Sequence, residues 1–309
     1  MTEIEIFAPA SVANVSCGFD VLGFCLTPIG DVMRVVKKES PGVEIGTVTG
    51  QDLPTDPSKN VASVAVMSLL KQHPSKYGFR IDIDKRIKPG SGIGSSAASA
   101  AGAVFAVNEL LGAPYTRRKL LPFAMVGEAM ASGAAHADNL APVLLGGFTL
   151  VRSNKSLDVV SLPIPHELVA TVIHPKIELK TSHSRAILKD QVPLSKAVEQ
   201  WGNLGAFVSA LYTEDYELMA RSLKDKVIEP YRAMLLPKFD EVKKAALIAG
   251  AIGAGISGSG PSIFALSKGE TTAQKVAEAM KNVFKNINLE YDVYVSKINP
   301  EGIKILSSK

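Results

Sequence analysis

The sequence predicts an α+β fold. Three observations carry that reading: short alternating strands, helices rich in alanine and other small residues, and an element order without strict βαβ alternation. Strict alternation would build a parallel sheet clad on both faces. The closing order here, strand, strand, helix, strand, suits an antiparallel sheet with helices on one face. The 309 residues suffice for one large or two medium domains.

Taken in order, Glu3-Ile4-Glu5-Ile6-Phe7-Ala8 alternates and reads as a strand. Val32-Met33-Arg34-Val35-Val36 and Val43-Glu44-Ile45 are further strands. Residues 60–71 carry Val61, Val64, Ala65 and Leu69 at helical spacing. Phe79-Arg80-Ile81-Asp82-Ile83-Asp84 alternates strictly and is a strand. A helix is expected over 95–111, closed by Gly112, and another over 116–132, its first turns perturbed by Pro122. After a strand at 147–151, residues 157–165 read as a linker, with Pro163 and Pro165 flanking Ile164. The domains are expected to divide there, at 1–160 and 161–309. A strand at 168–174 follows, then mostly helices over 194–250. Strands near 254–257 and 262–266, a helix at 271–286 and a strand at 291–298 close the chain.

Charge narrows the function classes. Thirty-four basic and 30 acidic residues are well mixed, for a net +4, so neither nucleic acid nor membrane is an expected partner. Cys17 and Cys25 form no CxxC pair and are too few for a disulfide framework; they are expected as reduced thiols. The start Met1-Thr2-Glu3-Ile4 lacks the basic and apolar regions of a signal peptide. Ser99, Gly102, Asn108 and Glu109 interrupt the alanine-rich stretch that comes nearest to a membrane span. A soluble, cytoplasmic protein is expected.

The informative stretch is Lys88-Pro89-Gly90-Ser91-Gly92-Ile93-Gly94-Ser95-Ser96-Ala97-Ala98, set between a strand and a helix. Alternate glycines clear the backbone of Cβ atoms, and a helix start of small residues leaves its N–H groups open to an anion. Of Ser95 and Ser96, one can cap the helix and the other can reach a phosphate or its metal ion. The loop is neither a Walker A motif, which needs Gly-Lys before the serine, nor GxGxxG. A GxGxxG does occur at Gly253-Ala254-Gly255-Ile256-Ser257-Gly258, but with a helix before and a strand after, the reverse of a dinucleotide site.

Several motifs then agree. Residues Pro89 to Ala98 resemble the nucleotide loop of the GHMP kinases. Ala8-Pro9-Ala10-Ser11-Val12-Ala13-Asn14, Gly18-Phe19-Asp20-Val21-Leu22-Gly23, His136-Ala137-Asp138-Asn139-Leu140-Ala141-Pro142 and Glu229-Pro230-Tyr231-Arg232 resemble the homoserine kinase branch. Ile256-Ser257-Gly258-Ser259-Gly260-Pro261-Ser262 resembles the third GHMP motif. The matches run in family order from residue 8 to about residue 266. One departure is Lys88-Pro89, where the family usually has proline and then a small apolar residue.

The resemblance implies a ribosomal-protein-S5-like N-terminal domain, a ferredoxin-like C-terminal domain and an active site between them. It implies ATP and Mg2+ as cofactors, L-homoserine as substrate and a homodimer. It places the metal between Ser96 and Glu128, and the nucleotide at Asn60, Val61 and residues 88–98, with Gly255–Gly260 supporting the loop. Arg185 and Arg232 match the family's carboxylate-binding positions, since guanidinium binds carboxylate bidentately, with Thr181 nearby. Asp20 suits the ammonium group, and Asn14, His136 and Asn139 orient the substrate. Asn139 stands where relatives such as mevalonate kinase carry an aspartate base, with Asp138 adjacent. Direct attack by the hydroxyl on the γ-phosphate is therefore expected. Competing readings are a kinase for mevalonate or a sugar, an RNA-binding S5-like module and a nicotinamide oxidoreductase.

Overall fold

The computed structural model describes residues 1–133, 136–179 and 181–309. The chain runs through β1 (Glu3–Ala13), β2 (Leu22–Lys38), β3 (Val43–Thr49), α1 (Val61–Gln72), β4 (Gly78–Asp84) and α2 (Ser95–Leu110). A 3-10 turn at Arg117–Leu120 leads into α3 (Leu121–Ser132), followed by α4 (Leu140–Leu145), β5 (Phe148–Ser153) and β6 (Asp158–Leu162). The rest comprises β7 (Leu168–Pro175), α5 (Thr181–Ala186), α6 (Leu194–Thr213), α7 (Tyr216–Ser222), α8 (Glu229–Arg232), α9 (Phe239–Ile248), β8 (Gly253–Ile256), β9 (Ile263–Lys268), α10 (Glu270–Lys285), β10 (Tyr291–Lys297) and β11 (Lys304–Ser308).

The first sheet has the order β11-β1-β2-β4-β3, and β3–β4 is its parallel pair. It branches because β2 is long: residues 32–38 pair with β4, while Leu22, Gly23 and Phe24 pair with β5, which carries β6. The stretch 157–165 is thus not a linker. Asp158–Leu162 closes a hairpin with β5 and stops just before Pro163, which can donate no ladder hydrogen bond. The expected boundary at 160 also needs correction at the far end, because β11 leaves the second unit and pairs with β1. Pro122 sits in the first turn of α3, where its missing N–H is no loss.

The second sheet, β10-β7-β9-β8, is antiparallel throughout, as the element order predicts. Its strands alternate between two cores. Ile173, Ile263 and Ala265 pack with Val242, Val276 and Met280 of α9 and α10. Ala170, Val172, Phe264 and Leu266 face the larger core, with Phe24, Phe148 and Phe207. Both faces are therefore dry, and the two sheets share one core rather than meeting across a wet cleft.

The helix behind the glycine-rich loop, α2, lies between the first sheet and a layer formed by α1 and α3. Only Ser96 and Glu109 of its sixteen residues escape full burial. Gly102 lets the sheet approach: a Cβ there would stand 2.7 Å from Met33 Sδ and 3.0 Å from Ala8 Cβ.

Candidate active site

Beneath the loop, Lys85 is buried with Asp31 as its ion-pair partner, and its Nζ also donates to Ser95 O at 2.6 Å and Ser99 Oγ at 2.9 Å. Asp31 accepts in turn from the N–H groups of Arg86 and Ile87, both at 3.0 Å. One ion pair thus ties β2, the strand exit and the first turns of α2. Sequence reading misses it, since a lysine after an alternating strand carries no signal until its aspartate partner, 54 residues away, is in place.

The loop is clamped from the second domain. Ser257 Oγ donates to Gly92 O at 2.7 Å, and Ser262 Oγ to Ser91 O at 2.6 Å. Gly92 needs to be glycine twice over: φ is +80°, and a Cβ would lie 2.5 Å from Gly260 O. Gly94, at φ +71°, precedes α2 without a side-chain cap. Neither serine caps the helix: Ser95 Oγ donates to Ile87 O at 2.9 Å, and Ser96 hydrogen-bonds the buried Glu128 carboxylate. Burial raises the Glu128 pKa, opposed by that hydrogen bond and by the charge of Lys85.

A cavity of about 390 Å3 opens over this floor. Asn14, Asp20, Asn60, Val61, Pro89, Gly90, Gly92, Gly94, Ser95, Ser96, Glu128, His136, Asp138, Asn139, Thr181, Arg185 and Arg232 all line it. Lys88, Ser91 and Ile93 line a second cavity behind the loop instead, and Ala97 and Ala98 are buried in the core. Leu53, Pro54, Lys59, Lys85, Ser99, Ala131, Glu178, Ser182, Gly258 and Ser259 complete the lining. Gly258 and Ser259 lie in the third motif, but Glu178 and Ser182 have no sequence signal of their own.

At one end Asn60 caps α1, its Oδ1 accepting from Ala62 N at 3.0 Å. At the other end Arg185 donates to Asp20 through both terminal nitrogens, at 2.9 and 3.1 Å. His136 Nδ1 is 3.4 Å from the same carboxylate. Arg232 is buried and donates to Gly258 O at 3.0 Å and Ser184 O at 3.2 Å. Asn14 Nδ2 shares that Gly258 oxygen at 2.6 Å. Arg185 and Arg232 both stack on Phe19, 5.5 and 5.0 Å from its centroid.

The turn that presents Asp20 is strained. Asn14, Val15 and Ser16 have φ of +70°, +46° and +52°, and Asp20 itself +59°. Such values cost on the order of 1–3 kcal/mol each for non-glycine residues and persist only where surroundings enforce them. Here Asn14 Oδ1 accepts from Asp20 N at 3.0 Å, bracing the turn from within.

Burial shifts the titrating groups toward their neutral forms. Burial, and after it the neighbouring charges of Asp20 and Glu128, raises Asp138 to about 7. Burial, followed by the charge of Arg185, lowers Arg232 to about 10. Burial also lowers the His136 pKa, against the opposing pull of Asp20. Asn139 Oδ1 accepts from Ser11 Oγ at 2.8 Å, which fixes the asparagine at the mouth of α4. Cys17 and Cys25 are buried free thiols, both raised to about 12 by burial, and neither lines the cavity.

The later GxGxxG follows α9, spans strand β8 and its turn and leads into strand β9 rather than into a helix, so it lacks the context of a dinucleotide site. Among the described residues no helix is long and apolar enough to cross a membrane.

Known proteins share this arrangement. The profile of the GHMP kinases N terminal domain matches residues 60–147, and that of the GHMP kinases C terminal region matches 207–286. A homoserine kinase from Chloroherpeton thalassium is 48% identical across 99% of this chain and 100% of its own length. One from Xanthomonas campestris pv. campestris is 38% identical across 99% of this chain and 95% of its own. The crystal structure of homoserine kinase from Cytophaga hutchinsonii superposes with a TM-score of 0.96 at 51% identity, covering 99% of this chain and 98% of that one. Mevalonate kinase from L. major shares the fold, with a TM-score of 0.70 at 16% identity over 94% of this chain and 95% of its own. Two-domain α+β architecture, the matching family profiles and full-length identity agree: the chain belongs to the homoserine kinase family of the GHMP kinases.

Proposed function

We infer that the protein transfers the γ-phosphoryl group of ATP to the side-chain hydroxyl of L-homoserine, giving ADP and O-phospho-L-homoserine on the way to threonine. The observation that carries this reading is the Asp20–Arg185 pair, with Arg232 beside it, in the same cavity as the glycine-rich loop. A bidentate carboxylate–guanidinium pair offers the charges a zwitterionic amino acid complements. The substrate carboxylate replaces Asp20 on Arg185 and gains Arg232, while its ammonium takes Asp20, so the exchange leaves no charge unmatched. Mevalonate and sugars lack the ammonium group and would strand Asp20.

Asn14, His136 and Thr181 border the amino-acid end, and Asn139, held by Ser11, orients the hydroxyl. The hydroxyl oxygen bonds to the γ-phosphorus as the bond to the ADP oxygen breaks. Its proton passes to the transferred phosphate or to solvent. Asn60, Val61 and the N–H groups of the loop hold the nucleotide. The Ser96 hydroxyl at the start of α2 and the Glu128 carboxylate on α3 are hard oxygen donors and fit magnesium, which when bound would neutralise the β- and γ-phosphates. We assign the protein to the cytoplasm. A homodimer is supported by the exposed apolar stripe Leu194, Val198 and Trp201 on α6; sedimentation would check it.

The test is coupled ADP release with magnesium and ATP on L-homoserine, mevalonate and galactose, with Arg232→Ala alongside. Turnover of homoserine alone, reduced at least about a hundredfold in kcat/KM by the substitution, is the expected result. Turnover of mevalonate or galactose instead would overturn the substrate, and no ADP release with any of them would overturn the kinase reading.

A further inference from the structure

Behind the phosphate loop, on the side away from the active site, lies the second cavity, of about 310 Å3. Arg86, Lys88 and Lys176 line it against one carboxylate, Asp292, a surplus of two positive charges. Arg86 donates to Asp84 outside the cavity at 2.7 Å. Lys176 lies 3.5 Å from Glu290 and 3.9 Å from Asp292. Lys88 makes no ion pair among the described residues.

Two buried polar groups of the same lining lack partners. His174 is 2% exposed and Ser91 1%, and neither His174 Nε2 nor Ser91 Oγ has a hydrogen-bond partner among the described residues. The tautomer of His174 follows from its neighbour. Ser262 spends its one proton on Ser91 O, at 2.6 Å, so its oxygen can only accept from His174 Nδ1, 3.2 Å away. The proton therefore sits on Nδ1, and Nε2 is a bare acceptor. Burial, with the charge of Lys88 next, pushes the imidazole down to about 4, which keeps it neutral.

The cavity thus asks for a ligand with anionic oxygens for the cations and an O–H for Nε2. We propose that it is a second ligand site, for a protonated phosphate group, free or at the end of a small phosphomonoester. Hydrogen phosphate carries both features in one tetrahedron. Sulfate at neutral pH is all acceptor and leaves Nε2 unmatched, a buried polar mismatch. The volume is at the lower end for small-molecule sites, so an organic body fits beside the phosphate. Ser91 belongs to the loop that lines the active site on its other face, so an occupant would touch the back of the nucleotide loop.

The test is calorimetric titration at pH 6.5 into the full chain saturated with magnesium and a non-hydrolysable ATP analogue, which fills the phosphate positions of the main cavity. Inorganic phosphate is expected to bind one site per chain, and sulfate about tenfold or more weakly. Lys176→Glu, a change on the surface of the second domain, should weaken phosphate about tenfold while kcat and KM for ATP in phosphate-free buffer stay within about twofold. His174→Gln should narrow the preference for phosphate over sulfate. Glycerol phosphate binding more tightly than phosphate would identify an ester as the ligand; weaker binding would identify the free ion. Absence of saturable phosphate binding, equal affinity for sulfate, or an affinity untouched by Lys176→Glu would overturn the proposal.

Discussion

Three helices of this protein carry interior glycines, and in two of them, α2 and α6, the residue means opposite things. In α2, Gly102 is pressed against Met33, Ala8 and Ile6, and the helix is walled in by the sheet, α1, α3 and α4. In α6, Gly202 and Gly205 have nothing near them, and Leu194, Val198, Trp201 and Tyr212 stand out from the protein. Mere cover for a core tolerates such slack. A helix whose first turn lines the cavity does not, and the small residues of α2 are what allow it to be gripped from every side.

The sharpest way to break the comparison is to release that grip. Lys85→Met leaves Asp31 buried without its cation and should cost about 3–5 kcal/mol in urea unfolding. Adding Asp31→Asn, which keeps an acceptor for the Arg86 and Ile87 N–H groups, should recover most of the loss. Gly102→Ala comes next. A glycine-to-alanine change normally helps a helix, but here the new methyl overlaps Met33, so a loss of about 1–3 kcal/mol is expected by the same measurement.

Dense burial at this end of the molecule also holds Asp138 at about 7, well above its unfolded value near 3.8. A raised carboxyl pKa means that the folded state binds the proton more tightly. The stability this gives is full below the unfolded pKa and is lost as pH rises through the folded one. Asp138→Asn, which cannot ionise, should therefore gain on wild type between pH 5 and pH 8, by roughly 2–4 °C in melting temperature. The smallest effect sharpens the comparison from the other side. Gly202→Ala on α6 meets open space and should stabilise by about 0.5–1 kcal/mol.

What was legible in the sequence was local. Strict alternation announces β4, and Asn60 before an apolar period announces the start of α1. The loop residues 88–98 announce a glycine-rich turn between strand and helix, and most of the site residues named from the motifs line one cavity. The losses are long-range. Asp158–Leu162 is a strand because β5 lies beside it, a partnership invisible beneath two prolines. Lys304–Ser308 is largely exposed, so no alternation marks it; β1 alone makes it a strand. The ion pair of Lys85 with Asp31 and the meeting of His174, Ser262 and Ser91 join distant segments, and periodicity within a segment reports neither these nor the positive φ values at Asn14, Val15 and Ser16.

The pairing of β11 with β1 ties residue 4 to residue 308 and residue 7 to residue 304. On the ribosome, at about 5–20 residues per second, β1 emerges on the order of tens of seconds before the strand that completes its edge. Until then it offers an unpaired ladder of N–H and C=O groups to any other nascent chain. The same adjacency makes the protein a natural candidate for circular permutation: residues 2 and 309 already share a backbone hydrogen bond of 2.6 Å, so a short glycine–serine joint would close the ring and a new opening could be cut in a surface loop such as that around Gly112.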